Sequence, residues 1–276
     1  MVDITFKYFK AGTVVLFLLC SFTVFGANVD TVDTYSASMQ KHIKAVVITP
    51  KSYKGKRRFP VVYLLHGYSG NYSDWVKKVP RIKDYADSFN LIIVCADGNY
   101  NSWYIDSPLK ENSKYDTYIS SELVTFIDNK YRTVANRQGR AITGLSMGGH
   151  GALYLAIKHQ DVYGAAGSMS GGVDLKPYAT NWELEEYLGD PDKYPLARAE
   201  YSVTDLVPLL KPNVLNIAFE CGNDDFFYGI NVALHEKLLA NKILHSFTSS
   251  PGSHTWEFWE NAVQYQLLFF QNQFQK

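Results

Sequence analysis

An α/β fold, with a mostly parallel central sheet covered by helices on both faces, is what this sequence predicts, and three observations carry it. Short β-rich runs such as "FPVVYLLHG" (59–67) and "LIIVCADG" (91–98) are nearly continuous in apolar residues, as strands buried on both faces must be. Amphipathic helical patterns separate several of these runs, which is the alternation that lays strands parallel. One strand also runs into a glycine-rich turn that opens a helix, at "AITGLSMGGHGALYLAIKH" (141–159). At 276 residues and 46% hydrophobic the chain can fill one large core, so a single domain over 27–276 is expected.

Taken in order, the elements begin with an export signal over residues 1–26. Lys7 and Lys10 make a short basic start, Ala11 to Gly26 is apolar, and Val24 and Gly26 are the small residues that would precede a cleavage near Ala27. A periplasmic or secreted location follows, with an uncleaved anchor as the rival reading. Cys20 follows Leu19, which disfavours a lipid-attachment site. Strands are expected at 45–50, 59–67, 91–98, 140–144, 165–171 and 214–222, with an edge strand opened by His245. Helices are expected over 116–131, 148–159, 230–242 and 255–274. Between 173 and 213 the chain carries five prolines and short helical pieces without a strand, a length that inside a compact domain is usually functional. It is read as a short cap insertion, with a decorative segment on the sheet edge as the alternative.

Composition narrows the chemistry. The 27 basic and 27 acidic residues cancel without a Lys/Arg run, so a nucleic-acid partner is not expected. Cys95 and Cys221 each sit near the end of an apolar run and read as small buried hydrophobes; they make no disulfide framework. No CxxC or HExxH spacing occurs, so neither a metal nor a cofactor is expected.

The turn Gly144-Leu145-Ser146-Met147-Gly148 has the G-x-S-x-G form of a nucleophile elbow, in which a strained serine is tolerated only with small neighbours. The helix that follows points its positive end at the serine, where an oxyanion would form. A serine hydroxyl needs a base and the base an orienting acid, and on such a fold they follow in the order Ser, Asp, His. Asp225 is the candidate acid, fourth in a G-x-x-D turn counted from Gly222; Asp224 beside it would then be solvated or capping. His254, the last histidine, lies in a Ser/Pro/Gly loop before the final helix and is the candidate base. The amides of Met147 and Tyr68 are the candidate oxyanion donors, Tyr68 following the buried strand that ends at His66-Gly67. His66 itself reads as a hydrogen-bonder of that loop. Trp103, Tyr104, Phe226, Phe227 and Tyr228 flank these residues in sequence and are candidates for an acyl pocket or for ordinary core.

With these residues assembled, the chain resembles the esterase D-like α/β hydrolases, a family with feruloyl, acetylxylan and tributyrin-type esterases, mycolyltransferases and S-formylglutathione hydrolases. The resemblance runs from about residue 38 to the end and rests on "YLLHGYSGNYSDW", "ADGNYNSWYIDSP", "GLSMGGHGAL", "CGNDDFFYGINVALHEKL" and "PGSHTWEFW". It implies an α/β-hydrolase fold, Ser146 as nucleophile, Asp225 as acid, His254 as base, and Tyr68 and Met147 as oxyanion donors. "SMGGHGAL" is similar to the S-formylglutathione hydrolases, but "HGYSGN" lacks their cysteine and those enzymes carry no export signal. Ala96 stands where many relatives have proline. The expectation is an exported serine carboxylesterase acting on small-molecule or oligosaccharide esters, acetyl or feruloyl esters of plant-polysaccharide-derived sugars. Its rivals are an acyltransferase with the same triad and a sugar acceptor, and a non-catalytic binding protein on a hydrolase fold.

Overall fold

The structure is a computed structural model that describes residues 26–275. The expected signal segment lies, save Gly26, outside the described residues. Among the described residues eight strands, numbered in chain order, form one sheet in the order β1-β2-β4-β3-β5-β6-β7-β8. Strands β3 (Val61–Leu65), β4 (Ile92–Ala96), β5 (Arg140–Gly144), β6 (Ala165–Met169), β7 (Asn216–Gly222) and β8 (His245–Ser250) run parallel. Strands β1 (Asn28–Ser36) and β2 (Lys41–Thr49) add an antiparallel hairpin at one edge. Order reverses at β3, whose neighbours are β4 and β5, and ligands on such sheets bind at the carboxyl ends beside that switch point.

The period of the strands explains the two faces. Val61, Tyr63 and Leu65 point into one apolar cluster and Val62 and Leu64 into the other, since successive side chains leave a strand on opposite sides. The first face is covered by α3 (Tyr115–Thr117), a π-helical turn (Tyr118–Leu123), α4 (Val124–Lys130), α5 (Met147–Lys158) and α9 (Tyr228–Ala240). The second is covered by α1 (Asp74–Lys78), α2 (Ile82–Phe89) and α10 (Trp256–Phe274). Helix α10 starts where the Thr255 hydroxyl accepts from the Phe258 amide, the cap its sequence supplies. Cys95 and Cys221 are free and buried.

Three elements lie outside the sequence expectation: β1, α1 and α2. In β1, "NVDTVDTYS" buries only alternate residues near its end, so its composition reads as loop until the hairpin with β2 is formed. The two helices are five and eight residues long, too short for a helical period to stand out. Segment 173–213 holds α6 (Leu184–Leu188), α7 (Ala197–Tyr201), α8 (Val203–Leu206) and two 3-10 turns, without a strand. Among the described residues no helix is long and apolar enough to cross a membrane.

Candidate active site

Four parallel strands deliver the candidate residues to one end of the sheet. Ser146 follows β5, the His66-Gly67-Tyr68 loop follows β3, Asp225 follows β7 and His254 follows β8. Ser146 has φ 54 and ψ −118, a conformation side-chain-bearing residues rarely adopt, which costs about 1–3 kcal/mol. Two short bonds hold it: the Ser146 amide donates to the Met169 carbonyl at 2.9 Å and the Gly148 amide to the Leu145 carbonyl at 2.7 Å. The turn also needs its glycines. A Cβ on Gly148 would lie 2.5 Å from the His66 carbonyl oxygen, and one on Gly144 would lie 2.6 Å from the Gly148 backbone.

The sequence candidates meet in space. The Ser146 hydroxyl donates to His254 Nε2 at 2.9 Å, and His254 Nδ1–H donates to Asp225 Oδ2 at 2.9 Å, with Oδ1 at 3.1 Å. That proton placement is the tautomer the carboxylate selects. Asp225 is buried and its Oδ1 accepts the Phe227 amide at 2.8 Å, so the carboxylate is fixed before it orients the ring. Asp224 is exposed; it contributes its amide to the Gly252 carbonyl at 2.9 Å, which ties the Asp225 turn to the His254 loop. Trp259 stands perpendicular to the His254 ring at 4.8 Å, and Phe226 and Phe227 lie at 4.3 and 5.3 Å, so the imidazole is clamped by aromatic faces.

The loop after β3 is organised by His66. Its Nε2 accepts the Gly98 amide at 2.8 Å, its Nδ1–H donates to the Gly67 carbonyl at 2.8 Å, and burial pushes its pKa down, so the ring is neutral. The Gly67 carbonyl also takes the Gly70 amide at 3.1 Å. The amide of Tyr68 next to it, and that of Met147 at the start of α5, have no acceptor among the described residues. A Cβ on Gly67 would stand 3.4 Å from that of Ser146, so the loop passes directly over the serine.

A cavity of about 520 Å³ opens above Ser146 and His254. Trp103, Phe226 and Phe227 line it, joined by Trp182 from the 173–213 segment. Trp103 and Trp182 face each other at 5.9 Å, and Trp182 lies on Phe226 at 6.1 Å. Tyr104 and Tyr228, candidates for the pocket or for ordinary core, are not part of its lining. Tyr104 is fully buried, its hydroxyl donating to the His66 carbonyl at 3.0 Å, and Tyr228 is the first residue of α9. Trp182, Trp256 and Trp259, not among the sequence candidates, also line the cavity. The last two sit beside His254 in "SHTWEFW", a signal present in the sequence; Trp182 carried none, since its loop reaches the site only through the fold. Glu183 next to it accepts from the Tyr68 hydroxyl at 3.0 Å and from Asn101 Nδ2 at 2.6 Å, docking the segment on the loop that would bind an oxyanion. Among the described residues no cluster of His, Cys, Asp and Glu could hold a metal ion.

The Esterase family, described as "Putative esterase", matches residues 36–270. An acetyl esterase of Caldicellulosiruptor saccharolyticus is 26% identical over 84% of this chain and 94% of its own length. An endo-1,4-beta-xylanase/feruloyl esterase of Xylanibacter ruminicola is 33% identical over 52% of this chain, a stretch that spans 22% of that longer protein. The solved structure of a ferulic acid esterase superposes with a TM-score of 0.78 at 27% identity, covering 90% of this chain and 100% of that one. The chain therefore belongs to the Esterase family: it has an α/β-hydrolase fold and is a serine carboxylic-ester hydrolase.

Proposed function

We propose that the chain is exported and hydrolyses acetyl or feruloyl esters of plant-polysaccharide-derived sugars, with Ser146 as nucleophile, His254 as base and Asp225 as orienting acid. The observation that carries this reading is the continuous relay from Asp225 through His254 to the Ser146 hydroxyl at the floor of an aromatic-walled cavity. Ser146 Oγ attacks the ester carbonyl while His254 Nε2 takes its proton. The tetrahedral oxyanion accepts from the Tyr68 and Met147 amides, each such donor contributing about 3–4 kcal/mol to transition-state binding. His254 then gives the proton to the departing alkoxide, leaving an acyl-enzyme. Water, deprotonated by the same nitrogen, attacks the acyl carbon and releases the acid and the free serine. The 173–213 segment acts as a cap that supplies Trp182 to the acyl side.

Export rests on the basic start and apolar run of residues 1–26. The test compares Ser146-dependent turnover of methyl ferulate and p-nitrophenyl acetate by the mature chain. Turnover favouring the ferulate supports a feruloyl esterase; turnover of the acetate alone narrows the substrate to short acyl esters. Transfer to an added sugar in place of water would favour the acyltransferase reading, and no turnover of either ester would leave a binding protein.

A further inference from the structure

The cavity has two unlike ends. Around Trp103, Trp182, Phe226 and Phe227 it is aromatic and carries no charge, whereas at the other end its wall is Gly70, Asp74, Lys78 and Trp256. Asp74 and Lys78 begin and end helix α1, one turn apart, so both side chains leave the same face. Between them Trp75 is buried and its indole N–H donates to the Leu65 carbonyl at 3.0 Å, which pins α1 to the end of β3 and fixes the direction of that face. Lys78 Nζ stands over the Trp256 ring at 4.9 Å, and no carboxylate pairs with it among the described residues. Asp74 takes only its own turn, from the Asn71 amide at 3.4 Å and Asn71 Nδ2 at 3.2 Å, and forms no ion pair among the described residues.

We infer that this end is a leaving-alcohol subsite built for the adjacent hydroxyls of a sugar. The inference rests on the hydrolytic reading above and deepens it. A carboxylate accepts from one hydroxyl and an ammonium donates to its neighbour, so the pair satisfies a diol, in which each oxygen is both donor and acceptor. The two charges cancel, which favours a neutral polyol over an anionic or cationic alcohol. Trp256 supplies an apolar wall for the C–H surface of the ring and holds the ammonium in place by its π face. The acyl group, apolar and planar or small, takes the aromatic end; the alcohol half takes the charged end. Neither Asp74 nor Lys78 touches the bond that breaks, so both are specificity residues.

The test uses ester pairs that share an acid: methyl ferulate against 5-O-feruloyl arabinofuranose, and methyl acetate against mono-O-acetyl xylobiose. The wild-type chain is expected to prefer the sugar ester by about tenfold or more in kcat/KM within the pair it turns over. Lys78→Gln and Asp74→Asn are each expected to reduce that preference by about tenfold, chiefly through KM. Lys78 is exposed, so its variant folds even if the Asp74 change disturbs the Asn71 turn. Ser146-dependent turnover of the methyl ester with no sugar preference, or a preference that survives both substitutions, overturns the subsite alone. Absence of Ser146-dependent turnover with every ester overturns the hydrolytic reading and the subsite with it.

Discussion

At the scale of single residues, two adjacent aspartates separate the roles. Asp225 is buried with its carboxylate on His254 Nδ1, while Asp224 is exposed and serves through its amide. Asp225→Asn is expected to lower kcat by about 10⁴-fold, because an amide that donates to Nδ1 selects the wrong tautomer. Asp224→Asn is expected to leave kcat within about twofold, since its backbone bond survives. Steady-state kinetics on p-nitrophenyl acetate measures both. Of these residues, Ser146 and His254 were legible from turn chemistry and order, because a strained G-x-S-x-G turn between a strand and a helix has few other uses. Asp225 was legible over Asp224 from its fourth position in the G-x-x-D turn, where its amide bonds back to the Gly222 carbonyl at 3.1 Å. The aromatic pocket was legible only in part. Neighbours in sequence such as Trp103 and Tyr104 leave the backbone in different directions, and one lines the cavity while the other is buried outside its lining.

At the scale of elements, the junction of β5 and α5 is the most constrained. Helix α5 carries glycines that weaken it as an isolated helix, yet close neighbours demand them: His66 at Gly148, Ser168 and Gly171 at Gly149, and Tyr104 at Gly151. Gly148→Ala drives a methyl against the His66 carbonyl, and because that group is backbone the structure yields little. A loss of about 1–3 kcal/mol is expected, seen as a fall in Tm of about 2–10 °C by scanning calorimetry, together with loss of esterase activity. The 173–213 segment behaves differently. Glu183, itself exposed, anchors it to Tyr68 and Asn101, so Glu183→Ala is expected to change stability by about 1 kcal/mol or less. Its expected signature is a raised KM for esters that reach Trp182, read against urea unfolding of the same variant. Long, apolar or periodic elements such as β3, β4, α5 and α10 were legible in sequence. The edge strand β1 was not, because its pairing with β2 and not its own composition makes it a strand.

At the scale of the whole molecule, two buried groups make stability depend on pH with opposite signs. Glu220, held by Gln266 Nε2 at 3.1 Å, has its pKa pushed up to about 7 by burial. Its folded pKa lies above the unfolded value, so the native state binds the extra proton between about pH 4.5 and 7, and its contribution is lost as pH rises through that window. Glu220→Gln keeps the acceptor and removes the charge. It is expected to stabilise the chain by about 1–3 kcal/mol at pH 8 and to be near neutral at pH 4, measured by urea unfolding. His66 acts in the other direction: burial lowers its pKa, the unfolded chain takes up the proton first, and stability falls as pH drops below about 6.5. The proposed reaction depends on one covalent event, acylation of Ser146. The decisive measurement is reaction with diethyl p-nitrophenyl phosphate followed by peptide mass spectrometry. One diethylphosphoryl group on Ser146, with esterase activity lost in step with labelling and no label on Ser146→Ala, is expected. Label on another residue, or hydrolysis that persists in Ser146→Ala, would contradict the assignment of Ser146 as nucleophile.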